Sequence, residues 1–232
     1  MPSIPSSLQE DRNRLRHSFR LATAFAALLW IIKIVEMMFH LELVRYGVFP
    51  LQASGLMGIL MGFLIHGSWS HLFANTLPII ILGTALLYGY PRSAKLVLAA
   101  VWLGSGLGVW LFAREAYHIG ASGLTFGVMF FLFMIGILRW DKRAIALSMI
   151  IFFLYGSMIW GIFPLKPGIS FESHFFGAVI GVVLAIVLRN HDPAPLEKKY
   201  SWEDETVEEI EETGDSAHPE QTNAPGSARN SN

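Results

Sequence analysis

Cysteine is absent from this chain of 232 residues, so disulfides, thiolate metal sites and thiol nucleophiles are all excluded. Charge is scarce as well. Asp, Glu, Lys and Arg make up 15% of the residues against 53% hydrophobic, and the mean hydropathy is +0.47. That balance is too apolar for an ordinary soluble domain. Aspartate occurs only at Asp11, Asp141, Asp192, Asp204 and Asp215, outside every long apolar run, which excludes an apposed aspartyl pair within a membrane. There is no H-E-x-x-H and no carboxylate set beside His66, His71 or His174, so a metal site and a cofactor are not expected. No run interleaves Lys or Arg with aromatics along a phosphate-tracking surface, which argues against nucleic acid as a partner. An internal repeat is missing too, and that weakens an inverted-repeat transporter.

What is present is a series of long apolar segments. Six reach the ~20 residues needed to cross hydrocarbon, at about 19–39, 70–88, 93–113, 121–139, 143–163 and 170–189. The expected fold is therefore all-α, a polytopic membrane protein with six transmembrane helices. The first run is too long for a signal-peptide core and no small-residue cleavage site follows it, so it reads as a retained span. Residues 1–18 form a polar leader carrying Arg12, Arg14 and Arg16. Residues 40–69 are too interrupted by Glu42, Arg45, Pro50 and glycines to span, yet too apolar to float free. An interfacial, partly helical loop is expected there.

Charge is unevenly distributed. Residues 190–232 hold 11 of the 18 acidic side chains and 3 of the 17 basic ones, a net −8, which leaves +7 on the rest. Such a tail cannot bury enough apolar surface to offset its chain entropy, and it is expected to be disordered. Loops on one side of the six spans collect Arg12, Arg14, Arg16, Arg20, Arg92, Lys95, Arg139, Lys142, Arg143, Arg189, Lys198 and Lys199. The other side has Arg45, Arg114 and Lys166. The excess marks the cytoplasmic side, so both termini are expected in the cytoplasm of a cell whose inner membrane holds the bundle.

That orientation sends the second, fourth and sixth spans in the same direction, from outside to inside. Each opens on a polar group. The second begins with Ser70-His71 and carries Asn75 one turn on; the fourth begins Gly120-Ala121-Ser122-Gly123; the sixth begins Glu172-Ser173-His174. Parallel helices put their first turns at similar depth, so His71, Asn75, Ser122 and His174 share one shallow layer. Ionisable groups in spans are costly and point to function. Alone, a G-x-S-G turn equally marks close helix packing, and a lone histidine can be a packed one. The positions beside them tip the reading. His174, Gly177 and Gly181 fall on one helix face, and G-x-x-x-G lets that face approach a neighbour closely. The neighbour is the fourth span, with Ser122, Phe126 and Gly127. A histidine nitrogen against a serine hydroxyl supplies the base that the hydroxyl lacks, and Phe126 can stack on the imidazole. Glu172 lies two residues from His174 and faces elsewhere, so a Ser–His dyad is expected, not a triad. His71, Asn75 and the Ser122 N–H can donate to a developing oxyanion. His66 either bonds the loop to the helix or frames the site. Lys33 and Glu36, three apart on the first span, are expected to pair. A transporter or a helix-binding scaffold using the same polar layer remains open on these residues.

The spacing His66-x4-His71-x3-Asn75, then Gly120-x-Ser122-Gly123, then His174-x2-Gly177-x3-Gly181 resembles the rhomboid family of intramembrane serine proteases. The likeness covers residues 19–189, with each motif on its own span. It implies Ser122 as nucleophile, His174 as general base and acid, His71 and Asn75 in the oxyanion hole, and Gly120 in the loop that shapes the site. It also implies membrane-protein substrates held in a lipid bilayer. Phe126 stands where some bacterial members have tyrosine, and the Trp-Arg pair found in the first loop of several members is absent here.

Overall fold

Backbone N–H and C=O groups in lipid must be paired within the protein, and long apolar segments meet that demand as helices. A computed structural model, which describes residues 6–165 and 168–193, contains seven α-helices among those residues. They are α1 (Ser6–Met38), α2 (Leu56–Met61), α3 (Trp69–Gly89), α4 (Ala94–Phe112), α5 (Ser122–Arg139), α6 (Lys142–Tyr155) and α7 (Phe171–Leu188). A 3-10 segment, Gly156–Ile162, prolongs α6. Six stretches are long and apolar enough to cross a membrane: Leu8–Met38, Trp69–Gly89, Ala94–Phe112, Ser122–Arg139, Ala144–Ile162 and Phe171–Leu188. The protein is a multi-pass, all-α membrane bundle, as the apolar runs require.

One boundary differs from expectation. The first helix reaches back to Ser6 and takes in the arginine-bearing leader expected to end at residue 18. Arginine is a good helix former, and the side chain of Arg14 caps the far end of α3 by donating to the Tyr88 carbonyl at 3.2 Å. The expectation for the acidic tail lies almost wholly outside the described residues.

α5 is the most enclosed span and α7 packs along it. The contact is made of glycine. A side chain at Gly177 would collide with the Gly123 carbonyl, and one at Gly181 with the Gly127 carbonyl. The two helices therefore touch backbone to backbone, which fixes their register to within a turn. Below this seam Phe131, Leu132, Ile135, Val97, Val101, Leu82 and Leu86 close the core. The outward faces stay apolar: Phe73, Leu77, Phe153 and Val187 are all exposed, as suits a surface solvated by lipid.

The segment between α1 and α3 is a docked wedge. Val48 and His118 exchange backbone hydrogen bonds of 2.9 and 2.8 Å, and Gly120 N–H donates to the Gly62 carbonyl at 2.8 Å. Two indoles reach it from α4, Trp110 to the Gln52 carbonyl at 2.9 Å and Trp102 to the Ile59 carbonyl at 3.1 Å. These bonds anchor a first loop that has no Trp-Arg pair. At the opposite end of the bundle, buried Asp192 accepts from the backbone N–H groups of Arg92 and Ser93, while Arg139 donates to the Asp192 carbonyl at 2.9 Å. That clasp joins the end of α7 to the start of α4 and the end of α5. Lys33 and Glu36 pair at 2.8 Å, both buried within α1.

Candidate active site

The first turns of α3, α5 and α7 lie together at one end of the bundle. Ser122 opens α5. The turn before it requires glycine at residue 120, whose φ of +107° is a region that side chains rarely adopt. The missing side chain also makes room for an imidazole: the His71 ring lies 2.5–2.6 Å from where a Cβ on Gly120 would be. Because Ser122 starts its helix, its N–H precedes the first backbone bond of the turn, from Thr125 N–H to the Ala121 carbonyl at 3.1 Å.

His174 Nε2 lies 2.8 Å from Ser122 Oγ. On the other side of the ring, Nδ1 lies 2.8 Å from the Gly161 carbonyl. A carbonyl can only accept, so Nδ1 carries the hydrogen and Nε2 presents its lone pair to the serine hydroxyl. Phe126 lies parallel to the imidazole, with centroids 4.0 Å apart and planes 6° apart. His174 and Phe126 are both buried, and Ser122 is half-buried.

The His71 ring lies against Gly120, and Asn75 follows one turn further along α3. Ser68 caps α3 by accepting from His71 N–H at 3.1 Å, and Asn75 Nδ2 donates to the His71 carbonyl at 2.9 Å. An amide nitrogen has two hydrogens, so a second donor remains on Asn75. His66 is buried behind them, its Nε2 3.4 Å from the Ala121 N–H and its ring edge-on to His71 at 4.9 Å. Burial pushes the His66 pKa down to about 4, with the neighbouring His71 adding to the effect. His66 is thus a neutral prop under the Gly120–Ser122 turn.

Two sets of residues were not singled out from the sequence. Gly161 contributes a backbone oxygen from a 3-10 turn, a role no side-chain pattern announces. The other set surrounds Glu172, which is buried with Arg114 at 3.5 Å and His118 at 4.0 Å. Arg114 also donates to the Ile169 carbonyl at 2.7 Å, and His118 Nδ1 bonds Ser170 Oγ at 2.7 Å. Ser170 in turn caps α7 by accepting from Ser173 N–H at 3.3 Å. This cluster fastens the start of α7, and so the height of His174, to the loop before Ser122. Among the described residues no group of three or more His, Asp or Glu is placed to hold a metal ion.

The family model for the Rhomboid domain matches residues 53–191, more than half of the chain and every residue of this cluster. The chain belongs to the rhomboid family. Relatives of similar length align along most of it. An uncharacterized protein of Mycobacterium tuberculosis (strain ATCC 25618 / H37Rv) is 32% identical over 196 residues, 81% of this chain and 82% of its own. A Mycobacterium bovis protein matches to the same extent. One from Mycobacterium leprae is 31% identical over 176 residues, 71% of this chain and 68% of its own. As a rhomboid, the chain falls in a family of intramembrane proteases that act on membrane proteins within the bilayer, some members of which are inactive.

Proposed function

We propose that this rhomboid is an active serine endopeptidase that cuts transmembrane segments of other membrane proteins. The observation that carries the reading is the 2.8 Å approach of Ser122 Oγ to a histidine nitrogen whose tautomer leaves it able to accept. Ser122 Oγ attacks the scissile carbonyl while His174 Nε2 takes its proton. The oxyanion is held by the Ser122 N–H, His71 and Asn75, donors of a kind worth about 2.7–4 kcal/mol each in a dry site. His174 then protonates the departing amine, the C–N bond breaks, and an acyl-enzyme remains. A water, deprotonated by the same imidazole, attacks the ester and frees Ser122. The scheme needs no metal or cofactor.

Peptide bonds in an intact helix are shielded by their own hydrogen bonds, so substrates with helix-weakening residues near the scissile bond are preferred. The excess of basic loop residues puts the clasp end in the cytoplasm and the Ser122 end toward the outside of the cell membrane. Residues 19–189 form the protease domain in this reading. The test is cleavage of a reconstituted single-span reporter in proteoliposomes. Wild type releases a fragment cut near the Ser122 end, and Ser122→Ala and His174→Ala do not. Unchanged cleavage by either variant contradicts the proposal.

A further inference from the structure

A cavity of about 270 Å³ lies inside the bundle, between α1, α3, α4 and α5. Its walls are almost wholly apolar and include Leu21, Phe25, Leu87, Leu98 and Trp102. One of the few polar groups on it, the Thr125 hydroxyl, is already committed to the Ser122 carbonyl at 2.9 Å. A space of this kind attracts hydrocarbon, not water, since a water needs polar partners. Nearer the Ser122 end than Leu21 and Leu98, the Phe25–Trp102 ring pair, 6.0 Å between centroids, bridges α1 to α4. Leu21, nearer the clasp end, is 46% exposed.

That end is flanked by two cations on the faces that line the cavity. Arg14, Ser18, Leu21 and Phe25 follow at i, i+4, i+7 and i+11 and so share one stripe of α1. Lys95, Leu98 and Trp102, at i, i+3 and i+7, share one stripe of α4. Arg14 is held beside the cavity by its bond to the Tyr88 carbonyl, next to Leu87, and both Arg14 and Lys95 are exposed. Five N–H groups on the guanidinium leave donors beyond the one used on Tyr88. Both cations lie toward the clasp end, roughly 10–16 Å along the helices from that ring pair at 1.5 Å per residue.

We propose that this cavity seats one acyl chain of an anionic phospholipid whose phosphate is held between Arg14 and Lys95. The chain end would lie against the back of the α5 turn that carries Ser122. The proposal rests on the cavity and the two cations, and is independent of whether Ser122 is catalytic.

The test uses the full chain in nanodiscs of phosphatidylcholine with increasing amounts of brominated-chain phosphatidylglycerol or brominated-chain phosphatidylcholine. The signal is the quenching of Trp102, obtained as wild type minus Trp102→Phe. Half-quenching is expected at roughly tenfold less of the anionic than of the zwitterionic lipid. The double variant Arg14→Gln/Lys95→Gln, altered only at exposed positions, should need as much of either. Equal responses to the two lipids in wild type overturn the proposal, as does an undiminished preference in the double variant or no quenching of Trp102. Native mass spectrometry from mixed nanodiscs gives a second readout that leaves Trp102 intact. A retained phosphatidylglycerol adduct, lost in the double variant, supports the site; its absence from wild type counts against it.

Discussion

The imidazole of His174 is oriented by the backbone carbonyl of Gly161, 2.8 Å from Nδ1, and not by a carboxylate. The geometry of the Ser122–His174 pair therefore depends on a 3-10 turn between α6 and α7. A Cβ at residue 161 would stand 2.7 Å from Phe126 Cζ and 3.2 Å from His174 Nδ1. Gly161→Ala should displace the stacked pair and lower kcat about 10- to 100-fold, since misplacement by an ångström is enough for such losses. KM and the melting temperature should change little. Steady-state cleavage of a reporter beside a melting curve checks this.

The α5–α7 seam admits no side chain at Gly177 or Gly181. Gly181→Leu should force the helices apart, cost about 1–3 kcal/mol of stability and abolish cleavage together with it. An exposed substitution on the lipid side of α7, Val187→Leu, should do neither. Thermal unfolding in detergent and activity, measured on both variants, decide it.

His66 is the residue from which acid sensitivity of the fold is expected. Its folded pKa of about 4 lies below the ordinary value of 6.5. Between those values the unfolded chain binds more protons than the folded one, so stability falls as pH drops from 6.5 towards 4. The contribution lost is about 3 kcal/mol in full. His66→Gln should flatten melting temperature against pH over this window. A variant as acid-sensitive as wild type would assign the titration to another group.

The proposed oxyanion donors predict a different pattern. His71→Ala and Asn75→Ala should each reduce kcat about 10²- to 10³-fold, the range for loss of one such donor. Neither should disturb the Ser122–His174 pair, so slow covalent labelling of Ser122 should persist in both. Loss of kcat with complete loss of labelling would mean that these residues hold the site together.

Much of this arrangement could be read from residue types and spacing. Six apolar runs are long enough to span, and G-x-x-x-G after His174 has few uses other than close approach to a neighbouring helix. Ser122 and His174 could thus be placed on facing turns from periodicity together with the helix directions that the basic loop residues indicate. What could not be read was set by the backbone or by contacts distant in sequence. The Gly161 carbonyl belongs to a stretch, Gly156–Ile162, whose side chains are merely apolar. The Arg114–Glu172 ion pair joins residues 58 positions apart, and Glu172 viewed only beside His174 has no evident partner. The wedge before α3 is docked by indole N–H groups donating to carbonyls, which leaves no periodic trace. The helical leader was hidden by its charge, since Arg12, Arg14 and Arg16 suit a solvated helix as well as a loose end.

The most direct measurement is labelling of the purified protein by a fluorophosphonate, with the modified residue located by peptide mass spectrometry. Wild type should carry the adduct on Ser122, His174→Ala should react at least about tenfold more slowly, and Ser122→Ala should carry none. An adduct on another residue, or labelling of Ser122→Ala at the wild-type rate, would contradict the account.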